Sequence, residues 1–179
     1  MLTITVPATE HFNNRTGEFI WTKETVLTLE HSLVSVSKWE SKWHKPSLGK
    51  GEKTDEEIVD YIKCMTMTQN VNPLVFLALT PDNIEAIRAY INDPMTATTF
   101  SDQNQKPNRE IITAEIIYYW MISMNIPFEC RKWHLNSLLA LIHTVGLKNQ
   151  PKKKMSKSAA MKQQHALNAS RLAKRGGAG

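Results

Sequence analysis

Residues 25–43 read TVLTLEHSLVSVSKWESKW, and the spacing of apolar side chains changes inside this stretch. On its N-terminal side Val26 and Leu27 join Phe19 and Trp21 as strand-forming residues. From His31 onward Leu33, Val36 and Trp43 fall near helical spacing, and Trp39 stands four before Trp43, a pair that meets on one helix face. One chain that changes from strand period to helix period once, near residue 31, predicts an α+β fold rather than alternating β and α units.

Working outward toward the N-terminus, Leu2, Ile4 and Val6 alternate with Thr3 and Thr5, which is strand period. Asn13 to Gly17 (NNRTG) reads as a turn. Two or three short strands, forming a small antiparallel sheet, are therefore expected in residues 1–30.

Toward the C-terminus the signals are helical. Pro46 ends the first helix, and Ser47 to Lys53 is a polar loop with Gly49 and Gly51. Thr54 followed three residues later by Glu57 is a capping-box start, with Asp55 and Glu56 suiting the helix dipole. Ile58, Tyr61, Ile62 and Met65 should form the buried face of that helix. Thr80-Pro81 marks a second start, Ile84, Ile87 and Ile91 its apolar stripe, and Asp93-Pro94 its end. Residues 101–108 read as a loop. A largely apolar central helix is expected from about Arg109 to Met124, carrying Ile111, Tyr119 and Trp120 and broken by Pro127. A last body helix is expected from about Arg131 to Val145, with Leu135, Leu138, Leu139 and Ile142 inward and Gly146 as its C-terminal cap. Residues 155–175 have helix-forming composition and a thin apolar stripe.

Charge divides the chain. Residues 148–179 hold seven lysines, two arginines and no acid, whereas the other 147 residues hold 13 basic and 17 acidic side chains. The expected organisation is a mostly α-helical domain at 1–147, with short N-terminal strands and a bundle-like helical body, and a basic tail at 148–179. A mildly acidic body does not predict a nucleic-acid footprint across the whole domain, although the tail leaves such a partner open. The first residues, MLTITVPATEHFNN, lack a basic region and a long apolar stretch, and residues 111–126 are too short and too polar to span a bilayer. Two cysteines, Cys64 and Cys130, make no disulfide framework and suit a reducing compartment. A soluble, cytoplasmic protein is the expectation.

Chemistry-bearing patterns are weak. Cys130-x-x-x-His134 with His143 beyond offers too few ligands for zinc, so no metal is expected; a buried thiol and two surface imidazoles account for it. No G-x-S-x-G elbow is present, and Gly49-Lys50-Gly51 is too short for a phosphate loop. No catalytic residue, cofactor or enzymatic activity is expected. The candidates for partner binding are Trp39, Trp43 and Trp133, whose large contact area suits protein interfaces, and the tail cations Lys152, Lys153, Lys154, Arg171, Lys174 and Arg175. The tail reads equally as a segment that docks on an acidic partner or as a solvated extension.

Four segments, EHSLVSVSKWESKWHKP (30–46), DYIKCMTMTQNV (60–71), MTATTFS (95–101) and REIITAEIIYYWMISMNIPFECRKWHLNSLLALI (109–142), together with the basic end, resemble the tail assembly chaperones of tailed bacteriophages. The resemblance spans most of the chain and carries no catalytic site. It implies a non-enzymatic chaperone in the host cell cytoplasm, which coats the tape-measure protein while the tail tube polymerises around it. The alternatives are a structural minor tail or neck protein of the virion and a nucleic-acid-binding protein acting through its tail. The resemblance also implies a longer product made by ribosomal slippage, for which an A-rich codon run at Lys152 to Lys154 would serve; a plain solvated linker explains those lysines as well.

Overall fold

The computed structural model describes residues 1–13, 17–49, 51–99, 111–149 and 157–175. The chain is α+β and mostly helical, and it divides into two compact units, Met1–Gly146 and Leu147–Gly179.

The first unit begins with four strands: β1 (Leu2–Val6), β2 (Thr9–Asn13), β3 (Glu18–Thr22) and β4 (Thr25–Leu29). They form two antiparallel pairs, β1 with β4 and β2 with β3, so the β2–β3 hairpin is nested between the two strands of the other pair. β1 and β4 run in register from Leu2 opposite Leu29 to Val6 opposite Thr25. Alternation puts Ile4, Val6, Leu27 and Leu29 inward, all buried. The expected turn after Asn13 falls partly outside the described residues; Gly17, with φ of 71°, takes the left-handed conformation that favours glycine.

Helix α1 (Leu33–Trp43) starts at Ser32, whose side chain accepts from Ser35 N while Ser35 Oγ accepts from Ser32 N. It ends at His44, which is left-handed with φ of 52°. Helix α2 (Asp55–Met65) has the expected Thr54–Glu57 capping box. Its buried face differs from expectation: Ile62 and Met65 are buried, but so are Glu57 and Asp60, whereas Ile58 is 39% exposed. A 3-10 turn, Pro73–Ala78, leads to α3 (Pro81–Asn92), capped by Thr80 with Pro81 in its first turn and ended at Asp93.

The expected central helix is shorter than its apolar run. Helix α4 covers Ala114–Ser123, and Ile111 to Thr113 lie outside it. Thr113 supplies no side-chain cap; Glu40, buried at the end of α1, accepts from Ala114 N at 2.7 Å with Oε2 and from Ser47 N at 2.6 Å with Oε1. A carboxylate at that point satisfies an otherwise orphaned N–H and favours the positive end of the helix dipole. Only Ala114, Ile117 and Met121 of α4 are fully buried, and Tyr119 and Ile111 are exposed. The helix stops at Met124 because Asn125 turns left-handed, two residues before Pro127.

The last body helix also shifts. Phe128–Lys132 is a 3-10 turn, and α5 covers Leu135–Asn149. Gly146 is therefore inside α5 and not its cap. A Cβ built there would meet only the Met124 Cε, at 3.7 Å, an ordinary contact. Gly146→Ala should thus stabilise the protein by about 0.5–1 kcal/mol, through less conformational freedom in the unfolded chain. Urea denaturation of the two proteins tests it, and a loss of stability would mean that the glycine serves a bend.

Two apolar clusters fill the first unit. One combines the β1–β4 pair with α2, the 3-10 turn at 73–78 and α3. The other combines Leu33 and Val36 of α1 with α4, Cys130 and α5. The second unit contains α6 (Lys157–Arg175), and residues 161–171 are exposed along it. No helix among the described residues is long and apolar enough to cross a membrane.

Candidate functional site

An open cleft of about 450 Å³ lies between α2 and α3. Ile58 and Ile62 of α2 line one wall and Ile84, Ile87 and Ile91 of α3 the other, with Leu48 from the 44–54 loop at the mouth. The capping boxes at Thr54 and Thr80 fix where each helix starts, and so which isoleucines face the gap. Both stripes are legible in the sequence as apolar periodicity, but periodicity does not distinguish a face buried by a neighbour from one that lines a gap.

The floor of the cleft is polar. His31 Nδ1 and the Tyr61 hydroxyl form a hydrogen bond of 2.6 Å, and Asn136 stands beside them. Asn136 Nδ2 donates to Ile91 O at 3.0 Å and to Asp93 O at 2.6 Å, so the start of α5 satisfies carbonyls at the end of α3. Behind His31 the ring of His134 lies 5.1 Å away, centroid to centroid. The backbone N–H of Asn136 donates to His134 Nδ1 at 3.3 Å. With Nδ1 accepting there, Nε2 is the nitrogen that donates to Tyr90 O, at 3.0 Å, so both ring nitrogens of His134 are engaged. The Tyr90 hydroxyl donates to Glu30 Oε1 at 2.8 Å, and Glu30 Oε2 pairs with the Met1 ammonium at 3.1 Å. His134 is thus buried and fully used, contrary to the surface imidazole expected from the sequence.

Burial, with a smaller contribution from His134, pushes His31 down to about 4. Burial also raises Tyr61 well above the usual phenol range, and burial with the neighbouring Glu30 raises Tyr90. These shifts move each group away from neutral pH, the reverse of what proton transfer at pH 7 uses. The floor offers a fixed hydrogen-bonding pair, the walls offer aliphatic contact, and the rim carries two cations. Of these, Lys53 Nζ donates to Ser47 O at 2.7 Å, and Arg88 pairs with Glu85 at 3.4 Å on the exposed side of α3.

The tryptophans separate. Trp39 is 1% exposed, donates from Nε1 to Glu57 O at 2.9 Å, and meets Tyr61 edge to face at 6.4 Å. It is a core residue that no partner can reach, because α2 covers the face of α1 that carries it. Trp43 is half-buried; its ring stacks on Trp39 at 6.2 Å and its Nε1 donates to Asp60 Oδ2 at 3.0 Å. Lys42 also pairs with Asp60, and Lys45 pairs with Glu57. Burial opposes the Asp60 charge, but Lys42 and Trp43 outweigh it and hold the carboxyl below its usual range. Trp133 is 49% exposed, after the 3-10 turn at 128–132, and is free to meet a partner. Arg171 is exposed on α6. Lys174 and Arg175 belong to the last turn of α6, with side chains outside the described ones, and Lys152, Lys153 and Lys154 lie outside the described residues.

Cys130 is buried and His134 is committed to Tyr90 and Asn136, so that pair does not converge on a common point. Among the described residues no group of three or more His, Cys, Asp or Glu side chains could hold a metal ion. Cys64 is half-buried on α2, and burial, then the nearby Asp60, raises its thiol above the usual range. No protein-family model, curated protein or solved structure matches the chain.

Proposed function

We propose that the chain is a non-enzymatic assembly chaperone of a bacteriophage tail, which holds a long helical tape-measure protein in solution before the tail tube closes around it. The observation that carries this reading is the isoleucine-lined cleft between α2 and α3. Its aliphatic walls fit the apolar residues that an amphipathic helix presents at i, i+3, i+4 and i+7. Its polar floor and cationic rim limit how much apolar surface a partner buries, which suits a helper that must leave when the tube arrives. Masking such stripes shifts the population of the partner away from aggregates by mass action. The likeness of residues 30–46, 60–71, 95–101 and 109–142 to tail assembly chaperones supports the same reading.

Co-expression with the tape-measure protein of the same phage tests it. The wild-type chain should raise the soluble tape measure several-fold. Ile58→Asp combined with Arg88→Glu should abolish that gain with little change in the urea midpoint, since both positions are exposed. A tape measure equally insoluble with and without the wild-type chain would remove the chaperone reading. Recovery of the chain at fixed stoichiometry in purified tails would make it a structural tail or neck protein instead.

A further inference from the structure

The N-terminal strands form one ribbon with two unequal halves. Val6 stands opposite Thr25 and Thr9 opposite Thr22, with two residues between on each side, so β2–β3 continues the register of β1–β4. The edges of the β1–β4 half are covered. Beside β4, Glu30 N donates to Met65 O at 2.9 Å and Met67 N to Thr28 O at 2.8 Å; beside β1, Asn83 Nδ2 of α3 donates to Thr5 O at 3.2 Å. Among the described residues no backbone hydrogen bond from outside the hairpin reaches β3, and neither β2 nor β3 adds a residue to the two apolar clusters. A two-stranded hairpin with no third strand is at best marginally stable in water.

One face of this hairpin is aromatic. Phe12 and Phe19 stand directly opposite, with ring centroids 5.0 Å apart, and Trp21 stands opposite Glu10 on the same face. Phe12, Phe19 and Trp21 are 55%, 63% and 67% exposed. Strand β3, EFIWT, is rich in strand formers and has neither the proline nor the lysine that keeps natural edges from pairing. Its sequence is also self-complementary. Two copies of β3 laid antiparallel about Ile20 put Phe19 opposite Trp21 of the second copy and Glu18 opposite Thr22, each pair on one face. Phe12, Phe19 and the Trp21 of the second copy then form one row across the sheet. The β2 edge offers no such match, because the same operation about His11 puts Glu10 opposite Phe12. Residues 9–24 hold three carboxylates, Glu10, Glu18 and Glu24, against the two cations Arg15 and Lys23, which disfavours stacked nucleic acid or an anionic membrane as the occupant.

We propose that β3 pairs with β3 of a second copy of this chain, antiparallel about Ile20, so that the two hairpins form one four-stranded sheet. The pairing supplies the missing third strand, satisfies the open backbone edge, and closes at two copies because the contact is isologous. It goes beyond the chaperone reading and uses no residue of the α2–α3 cleft.

Sedimentation equilibrium of the full chain over a concentration series tests it. The contact is small, so the dissociation constant should lie in the range of about 1–100 μM, with the mass rising from 20.4 kDa toward twice that value. Phe19→Lys with Trp21→Lys puts like charges opposite each other across the axis and should weaken the dimer about tenfold or more. Phe19→Glu with Trp21→Lys removes the same two rings but puts opposite charges there, and should restore much of the affinity. Both positions are exposed, so the urea midpoints of the two variants should stay close to each other. A mass that stays at 20.4 kDa throughout the range overturns the proposal. So does a dimer as tight in the first variant as in wild type, equal weakening in both variants, or a mass that climbs past twice the monomer value.

Discussion

Trp39→Ala should destabilise the protein by about 3–5 kcal/mol, the range for truncating a fully buried large aromatic. Three losses combine at this position. The indole is 1% exposed, so nearly all of its surface leaves water on folding. Its N–H satisfies Glu57 O at 2.9 Å. Its ring backs both Trp43 and Tyr61, so its removal leaves a void beneath the floor of the cleft. Trp120→Ala, within the apolar run of α4, should cost clearly less because Trp120 is only half-buried. Trp133→Ala at an exposed position should stay within about 0.5 kcal/mol. Urea midpoints of the three variants should fall in that order, and a cost at Trp120 equal to that at Trp39 would mean that α4 and not α1 is the central helix.

Acidification should weaken the fold from about pH 6.5 downward, beginning above the range in which carboxylates titrate. In the unfolded chain His31 takes a proton near its ordinary value of 6.5, whereas in the folded protein burial and His134 hold it at about 4. Above pH 6.5 both states are neutral there and the difference is absent. As pH falls from 6.5 to 4 the unfolded state binds a proton that the folded state refuses, so stability declines by about 3 kcal/mol over that window. Below pH 4 both states are protonated and this loss stops growing, while Asp60, held low by Lys42 and Trp43 against burial, begins to contribute its own. Urea midpoints at pH 7.5 and 4.5 measure the effect. His31→Asn should start less stable, having lost the Tyr61 contact, but should show a much flatter pH dependence. An equal slope in wild type and variant would move the origin elsewhere.

Local signals were legible and long-range ones were not. Thr54–Glu57 and Thr80-Pro81 announce helix starts because every group in a cap lies within four residues. The pairing of β1 with β4 around an intervening hairpin depends on which strand buries Ile4 and Leu27 together, which no window of neighbours reveals. The start of α4 is displaced to Ala114 by Glu40, 74 positions earlier, so the apolar residues Ile111 and Ile112 stay outside the helix they would otherwise extend. Gly146 resembles a cap only if the helix ends with its last large apolar residue, and α5 does not.

The site shows the same division. The isoleucines of α2 and α3 are visible as stripes, but the gap between them is a property of how two helices sit on different parts of the core. Trp39 and His134 look like surface candidates because indole and imidazole have polar tips; both are buried because a backbone carbonyl, of Glu57 and of Tyr90, meets each tip. Glu57 and Asp60 look like solvated charges on α2, and they are buried because Lys45 and Lys42 reach them from the end of α1 and just beyond it.

The two apolar clusters also set an order of events on the ribosome. Every residue of the first cluster has been made once Ile91 is added, so the β1–β4 pair, α2 and α3 can close while the chain is still growing. Leu33 and Val36 cannot, because their neighbours run from Ala114 to Ile142. At about 5–20 residues per second, translation of the roughly 50 residues between Ile91 and Ile142 takes about 3–10 s. Over that interval the inner face of α1 waits uncovered on a half-built protein, and the nascent chain is at its most vulnerable to aggregation. Pausing of translation after α3 would lengthen this exposure, and pausing after α5 would not.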